Sequence, residues 1–329
     1  MPSVLPSAMN LPLPLPLEPE APAGTGAADA STGTAAPAAR AAAEAACARL
    51  GLLARWRCTL AAMGPSGLLG LGVVAAWALA AIAGPWVLSR TGAQGGAEVF
   101  AGISAAHWLG TDYLGRDMLA RVIEGARYTV GVALGATLLA SGGGTVLALL
   151  AVSSNRWIDG ALSRLLDTLT AIPSKMLALL MVAGFGASMP LLIATAAVIY
   201  TPGAFRMARS MAVNIAAMDY VTVARSRGEG RWYVMRREIL PNIAGPMLAD
   251  LGLRFVYVVL LLASLSFLGL GIQPPAADWG SLVRENIGAL AQGGPAVIAP
   301  AAAIASLTIG MNLFIDNLPG RRARERGGR

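Results

Sequence analysis

Residues 128–152 read YTVGVALGATLLASGGGTVLALLAV, an unbroken run without a charged side chain. A bilayer core about 30 Å thick needs a helix of about 20 apolar residues to cross it, so this run is long enough to be a membrane span. The small residues Ser141-Gly-Gly-Gly144 in its middle favour close approach of a second helix over an anion site. Further spans lie on either side. The 67–89 stretch is also uncharged, and 176–205 is charge-free but too long for one span and too short for two. The Gly184-Phe-Gly-Ala-Ser-Met-Pro190 break divides it, placing a third span at 166–185 and a fourth at 189–207. A fifth runs over 247–271 and a sixth over 296–315. The expected fold is an all-α integral membrane protein of six spans.

Composition agrees. Of 329 residues, 56% are apolar and 13% charged, about half the charge of a soluble domain, and mean hydropathy is +0.62. The net charge of +7 is nearly all arginine, Lys175 being the only lysine. Such an excess reports orientation, because inner loops collect Lys and Arg. With the N-terminus inside, inner segments hold Arg40, Arg49, Arg55, Arg57, Arg156 and Arg164, seven arginines between Arg206 and Arg237, and five between Arg321 and Arg329. Outer segments hold only Arg90, Arg116, Arg121, Arg127 and Arg284, a split of 18 against 5 that puts both termini inside. A nucleic-acid footprint would need a basic face on a soluble domain, so no nucleic-acid partner is expected.

Residues 1–46 are rich in Ala, Pro, Gly and Thr, with prolines at 12, 14 and 16 that forbid a helix. They read as a disordered cytoplasmic tail before a six-span domain over 47–320, with a basic tail over 321–329. Cys47 and Cys58 offer neither a disulfide framework nor a metal spacing and read as plain thiols on the inner side. After the first span, Leu114, Met118, Leu119, Val122 and Ile123 recur at helical spacing against Arg116, Asp117, Arg121, Glu124 and Arg127. That pattern predicts an amphipathic helix lying on the outer membrane surface or on a partner subunit.

The inner loop between spans four and five is the most informative segment. From Asp219 to Asn242 it reads as two short helices around a glycine turn. Asp219 would cap the first helix, Gly228 would end it in a left-handed conformation, and Pro241 would stop the second. Trp232, Met235 and Ile239 would share one face of the second, while the small Ala224 and Ser226 would let a partner's groove approach the backbone. A compact helical knob on the cytoplasmic side is a docking element for a soluble partner.

This loop resembles the cytoplasmic coupling loop of binding-protein-dependent ABC importer permeases, whose pattern is Glu-Ala-Ala, three residues, Gly, then Leu-Pro about a dozen residues later. Gly228, Leu240 and Pro241 match, and Ala224 fits the second alanine; Thr222 stands in place of the Glu and Val223 of the first alanine. The resemblance extends the coupling loop to Tyr220, Val221 and Asn242. His107-Trp-Leu-Gly110-Thr111-Asp112-Tyr-Leu-Gly115-Arg116-Asp117 is similar to the signature after the first span of the second permease in dipeptide, oligopeptide and nickel importers. Ala171-Ile-Pro-Ser174, Leu265-Ser-Phe-Leu-Gly-Leu-Gly-Ile-Gln-Pro-Pro275, Trp279-Gly280 and Asn312-Leu-Phe-Ile-Asp316 follow in that group's order, so the resemblance covers about 50–318.

Other chemistry is sparse. A P-loop needs Gly-Lys-Ser/Thr, and Lys175 lies between Ser174 and Met176, so no cofactor is expected on this chain. Lys175 reads as snorkelling from the end of span three. His107, the only histidine, offers neither a metal site nor a catalytic pair. Asp250 and Arg254, spaced i, i+4 in span five, read as a mutual ion pair because unpaired charge at membrane depth is expensive. Lining the pathway, with Lys175, is the sharper alternative. The resemblance implies an inner-membrane permease working with a homologous second permease, two ATP-binding subunits and an extracytoplasmic solute-binding protein. It further implies short peptides, or nickel, as solute and ATP bound on the partners. A secondary transporter would want midplane ionisable groups or repeats and an intramembrane enzyme a catalytic constellation; neither pattern is present.

Overall fold

The computed structural model describes residues 63–91, 98–292 and 294–318, and its regular structure is helical throughout. The segment over 1–46, Cys47, Cys58 and the basic stretch over 321–329 lie outside the described residues. In chain order the helices are α1 (Pro65–Thr91), α2 (Met118–Ser153), α3 (Arg156–Thr170), α4 (Ser174–Phe185), α5 (Met189–Ala216), α6 (Asp219–Ser226), α7 (Arg231–Phe267), α8 (Trp279–Glu285) and α9 (Pro295–Asp316). A 3-10 turn, Ile287–Gln292, precedes α9.

Five of these helices (α1, α2, α5, α7 and α9) are long and apolar enough to cross a membrane. The span expected over 166–185 is not one helix. α3 and α4 meet at 83° around Ile172 and Pro173, because proline cannot donate to a helix and pushes its predecessor out of the helical region. α4 alone, 12 residues, is about 18 Å long and cannot cross by itself; the bent pair together has the length and apolarity of either a broken sixth span or a re-entrant loop. The break after Phe185 falls where the glycines predict it, with Gly186 at φ +87° and α5 starting at Met189.

α2 departs from expectation. No separate amphipathic helix precedes it: Asp117 caps a single 36-residue helix by accepting from the Ala120 N–H at 3.0 Å. Met118, Val122 and Ala126 are buried inside the protein rather than laid on a membrane surface. The interior holds them because α8 and the loop before it cover that face. Charged Arg121 is tolerated there, 4% exposed, because it finds Glu124 at 3.0 Å and the Pro275 carbonyl at 3.4 Å.

The α2–α5 pairing is the most extensive in the bundle. A Cβ on Gly144 would lie 2.6 Å from that of Ala204 and 2.8 Å from the Phe205 nitrogen, whereas Gly142 and Gly143 face open space. One glycine of the three therefore sets the helix approach. Two buried apolar clusters result. The larger gathers α2, α5, α7, α8 and α9. The smaller joins Leu149 and Phe205, at one end of the bundle, to Val221, Val234, Met235 and Ile239 of the α6–α7 knob.

Candidate functional site

The knob is built from α6, a glycine turn and the first turns of α7. Asp219 does not cap α6: the cap position belongs to Met218, which makes no side-chain cap bond, and Asp219 is the first helical residue. Its charge still suits a helix N-terminus. The far end closes as a Schellman motif, with Gly228 N–H donating to Arg225 and Glu229 N–H to Ala224. Gly228 holds φ +83°, the left-handed conformation that disfavours a Cβ.

Of the expected docking residues, Val221 and Ala224 face inward, at 0% and 7% exposed. Ala224 is buried, not displayed, which corrects its reading as an approach surface. Tyr220, Thr222, Gly228, Leu240, Pro241 and Asn242 are on the surface. The two arms are stitched by Asn242, whose side-chain amide donates to the Tyr220 hydroxyl at 3.1 Å and to the Glu238 carbonyl at 2.6 Å.

Pro241 does not end its helix. The backbone from Val234 to Ile239 widens to a π-helix, and the Leu240 N–H reaches back to Met235, which accommodates a residue without an N–H inside a continuous α7. The same widening shifts helical phase, so Trp232 does not share the face of Met235 and Ile239. They are buried; Trp232 is 67% exposed. Tyr220, Val223 and Met218 of the same knob are half-exposed. Arg225, Arg227, Arg231, Arg236 and Arg237 are exposed on it, and no described carboxylate pairs with them.

At the opposite end of the bundle, Gly110, Thr111, Asp112, Gly115, Arg116 and Asp117 come together in one tight loop. Thr111 and Asp117 form an antiparallel bridge. The fully buried Asp112 carboxylate accepts from the Leu114 and Arg116 N–H groups, both at 2.8 Å, and from Arg116 Nε at 2.7 Å. His107 Nδ1 lies 3.3 Å from Asp117. These residues shape a turn that seats α2. Asn286, 0% exposed, holds the same loop by accepting from the Tyr113 N–H at 3.0 Å; nothing in its local sequence announces that. Burial pushes the Glu285 carboxyl up, against the pull of Arg121, Arg116 and Arg284. Burial also pushes up Asp278, the α8 cap, against hydrogen bonds from Ser266, Ser281 and Gly280.

In the span region Arg254 Nε donates to Asp250 Oδ2 at 2.6 Å and Nη2 to Oδ1 at 3.1 Å, with both side chains largely buried. Lys175 is exposed on the first turn of α4 and does not join them.

Long apolar helices, a buried ion pair within one of them and a basic helical knob at one end define a multi-pass membrane protein. Residues 140–324 match the family described as "Binding-protein-dependent transport system inner membrane component". The chain belongs to that family: it is an inner-membrane ABC permease. It is 34% identical over 217 residues to the glutathione transport system permease protein GsiD of Pectobacterium atrosepticum, covering 66% of this chain and 72% of that one. It is 32% identical over 252 residues to the dipeptide transport system permease protein DppC of Alkalihalophilus pseudofirmus, covering 76% and 83%. The di/tripeptide transport system permease protein DppC of Pseudomonas aeruginosa is 33% identical, covering 66% and 72%. The fold resembles a chain of the inward-facing MetNI methionine ABC transporter, with a TM-score of 0.51 at 16% identity over 63% of this chain and 97% of that one.

Proposed function

We propose that this chain forms half of the translocation pathway of an ATP-driven importer of short peptides. Its other half is a homologous permease, an extracytoplasmic binding protein delivers the solute, and two ATP-binding subunits grip the α6–α7 knob. ATP stays on those subunits, since this chain carries no Gly-Lys-Ser/Thr stretch. The observation that carries the reading is the knob itself: aromatic residues and five arginines that no described carboxylate pairs, displayed at the bundle end, on elements packed against α2 and α5. The Lys/Arg split supports both termini, and the knob, being cytoplasmic. Thr222, exposed where the related loops carry Glu, leaves that surface more basic.

ATP binding need only favour one of two arrangements of the knob to shift the spans between outward- and inward-open states. Peptides rather than nickel are supported by relatives named for glutathione and dipeptides. The direct test purifies the tagged chain in mild detergent and identifies its companions by mass spectrometry. A second permease and an ATPase should copurify, and Gly228→Val should release the ATPase. A chain that purifies alone and moves solute without ATP overturns the reading.

A further inference from the structure

Where α3, α4, α5 and α7 converge, the bend at Ile172 opens a cavity of about 240 Å³. Arg254 and Arg206 both reach its wall, alongside Thr170 and Ser174, and no carboxylate lines it. We propose that Arg254, assisted by Arg206, binds the carboxylate of the transported solute in this cavity; the proposal rests on the reading of the chain as a peptide permease.

The guanidinium of Arg254 is aimed, not loose. Asp250 takes Nε and one Nη2 hydrogen, and Nη1 donates to the Tyr200 carbonyl at 3.1 Å. Of five N–H donors on an arginine, three are accounted for and two remain. Gly203 makes the placement possible, because a Cβ there would lie 2.7 Å from Nη1. Asp250 offsets the charge of Arg254, so the cavity's net positive charge comes from Arg206. Its only described partner is Asp167 at 4.0 Å, with both side chains more than half exposed, a pairing too weak to hold it. A fixed planar fork beside a second, movable cation suits a carboxylate, which arginine binds through two parallel N–H bonds. Every unmodified peptide carries one at its C-terminus, ionised at neutral pH. A latch between α5 and α7 is the competing role, and it would be indifferent to the solute's charge.

The test measures equilibrium binding of dialanine and of dialanine C-terminal amide to the assembled transporter in nanodiscs, without the binding protein. Wild type should bind the acid at least about tenfold more tightly than the amide. Arg254→Gln should abolish that preference and Arg254→Lys restore part of it. Arg206→Gln, which disturbs no buried contact, should weaken acid binding severalfold and leave the amide unchanged, and it decides the matter if Arg254→Gln does not fold. No measurable binding of dialanine by wild type, equal binding of acid and amide, or a preference that survives these substitutions overturns the proposal. ATP-driven dialanine uptake by wild-type proteoliposomes supplied with binding protein separates the two failures. With uptake intact, only the carboxylate site is wrong; without it, the importer reading falls as well.

Discussion

The indole Nε1 of Trp279 donates to the backbone carbonyl of Val122 at 2.8 Å, tying α8 to a helix that begins 161 residues earlier in the chain. The same ring is fully buried and meets Trp77 edge-on at 4.7 Å, and Gly125 leaves room for it. Trp279→Phe removes the hydrogen bond and should cost about 1 kcal/mol. Trp279→Ala adds a cavity, for about 3–5 kcal/mol in all. Thermal unfolding of the detergent-solubilised protein checks both, and a Trp279→Phe variant that melts with wild type would mean the bond contributes nothing.

Gly228 has φ +83° but open space where a Cβ would sit. Gly228→Ala should therefore cost about 1–2 kcal/mol of purely local backbone strain, loosening the knob while the bundle's melting temperature stays put. Asparagine tolerates this conformation better, so Gly228→Asn should retain more transport-coupled ATP hydrolysis than Gly228→Ala. The reverse order in reconstituted vesicles would exclude the backbone as the cause.

Neighbouring glycines should behave oppositely. Gly144→Ala drives a methyl into the α5 backbone near Phe205 and should cost about 1–3 kcal/mol. Gly142→Ala meets nothing and should be neutral or stabilise by up to about 1 kcal/mol through helix propensity. Melting curves of the two variants side by side settle it.

Asp278 gives a pH-dependent test. Its carboxyl is raised in the folded state above the ordinary 3.8. Protonated Asp278 thus favours folding; that contribution is full below pH 3.8 and is lost as pH climbs through the folded-state value. Asp278→Asn does not titrate and can still cap α8. The melting temperature of Asp278→Asn relative to wild type should rise between pH 4 and pH 8. Glu285 titrates in both proteins and largely cancels. A difference that stays flat across the range would refute the account.

Apolar runs and breakers made most of the bundle legible: the spans follow apolar, sparsely charged stretches, and the Gly184–Pro190 break and the Gly228 turn fall where glycine or proline demands them. What stayed hidden depends on tertiary partners. Arg121 made the start of α2 look like surface because its partners Glu124 and the Pro275 carbonyl include one far along the chain. The bend at Pro173 was masked by uninterrupted hydrophobicity on its C-terminal side. Pro241 signalled a helix end, but a widened turn upstream absorbs it. Ala224 was legible as small, though not as inward-facing, since smallness suits both a core and an interface. Asn286 had no local pattern to find.

The absence of a joint at Pro241 has a mechanical consequence. From Arg231 to Phe267 the chain is 37 residues of continuous helix, about 55 Å from end to end. One end carries the exposed Trp232, and the other lies beside the segment leading to α8. Between two loosely tethered parts a push dissipates; along a single shaft it arrives as tilt or rotation. In the proposed importer α7 acts as a crankshaft, the knob its handle and the apolar stretch its throw.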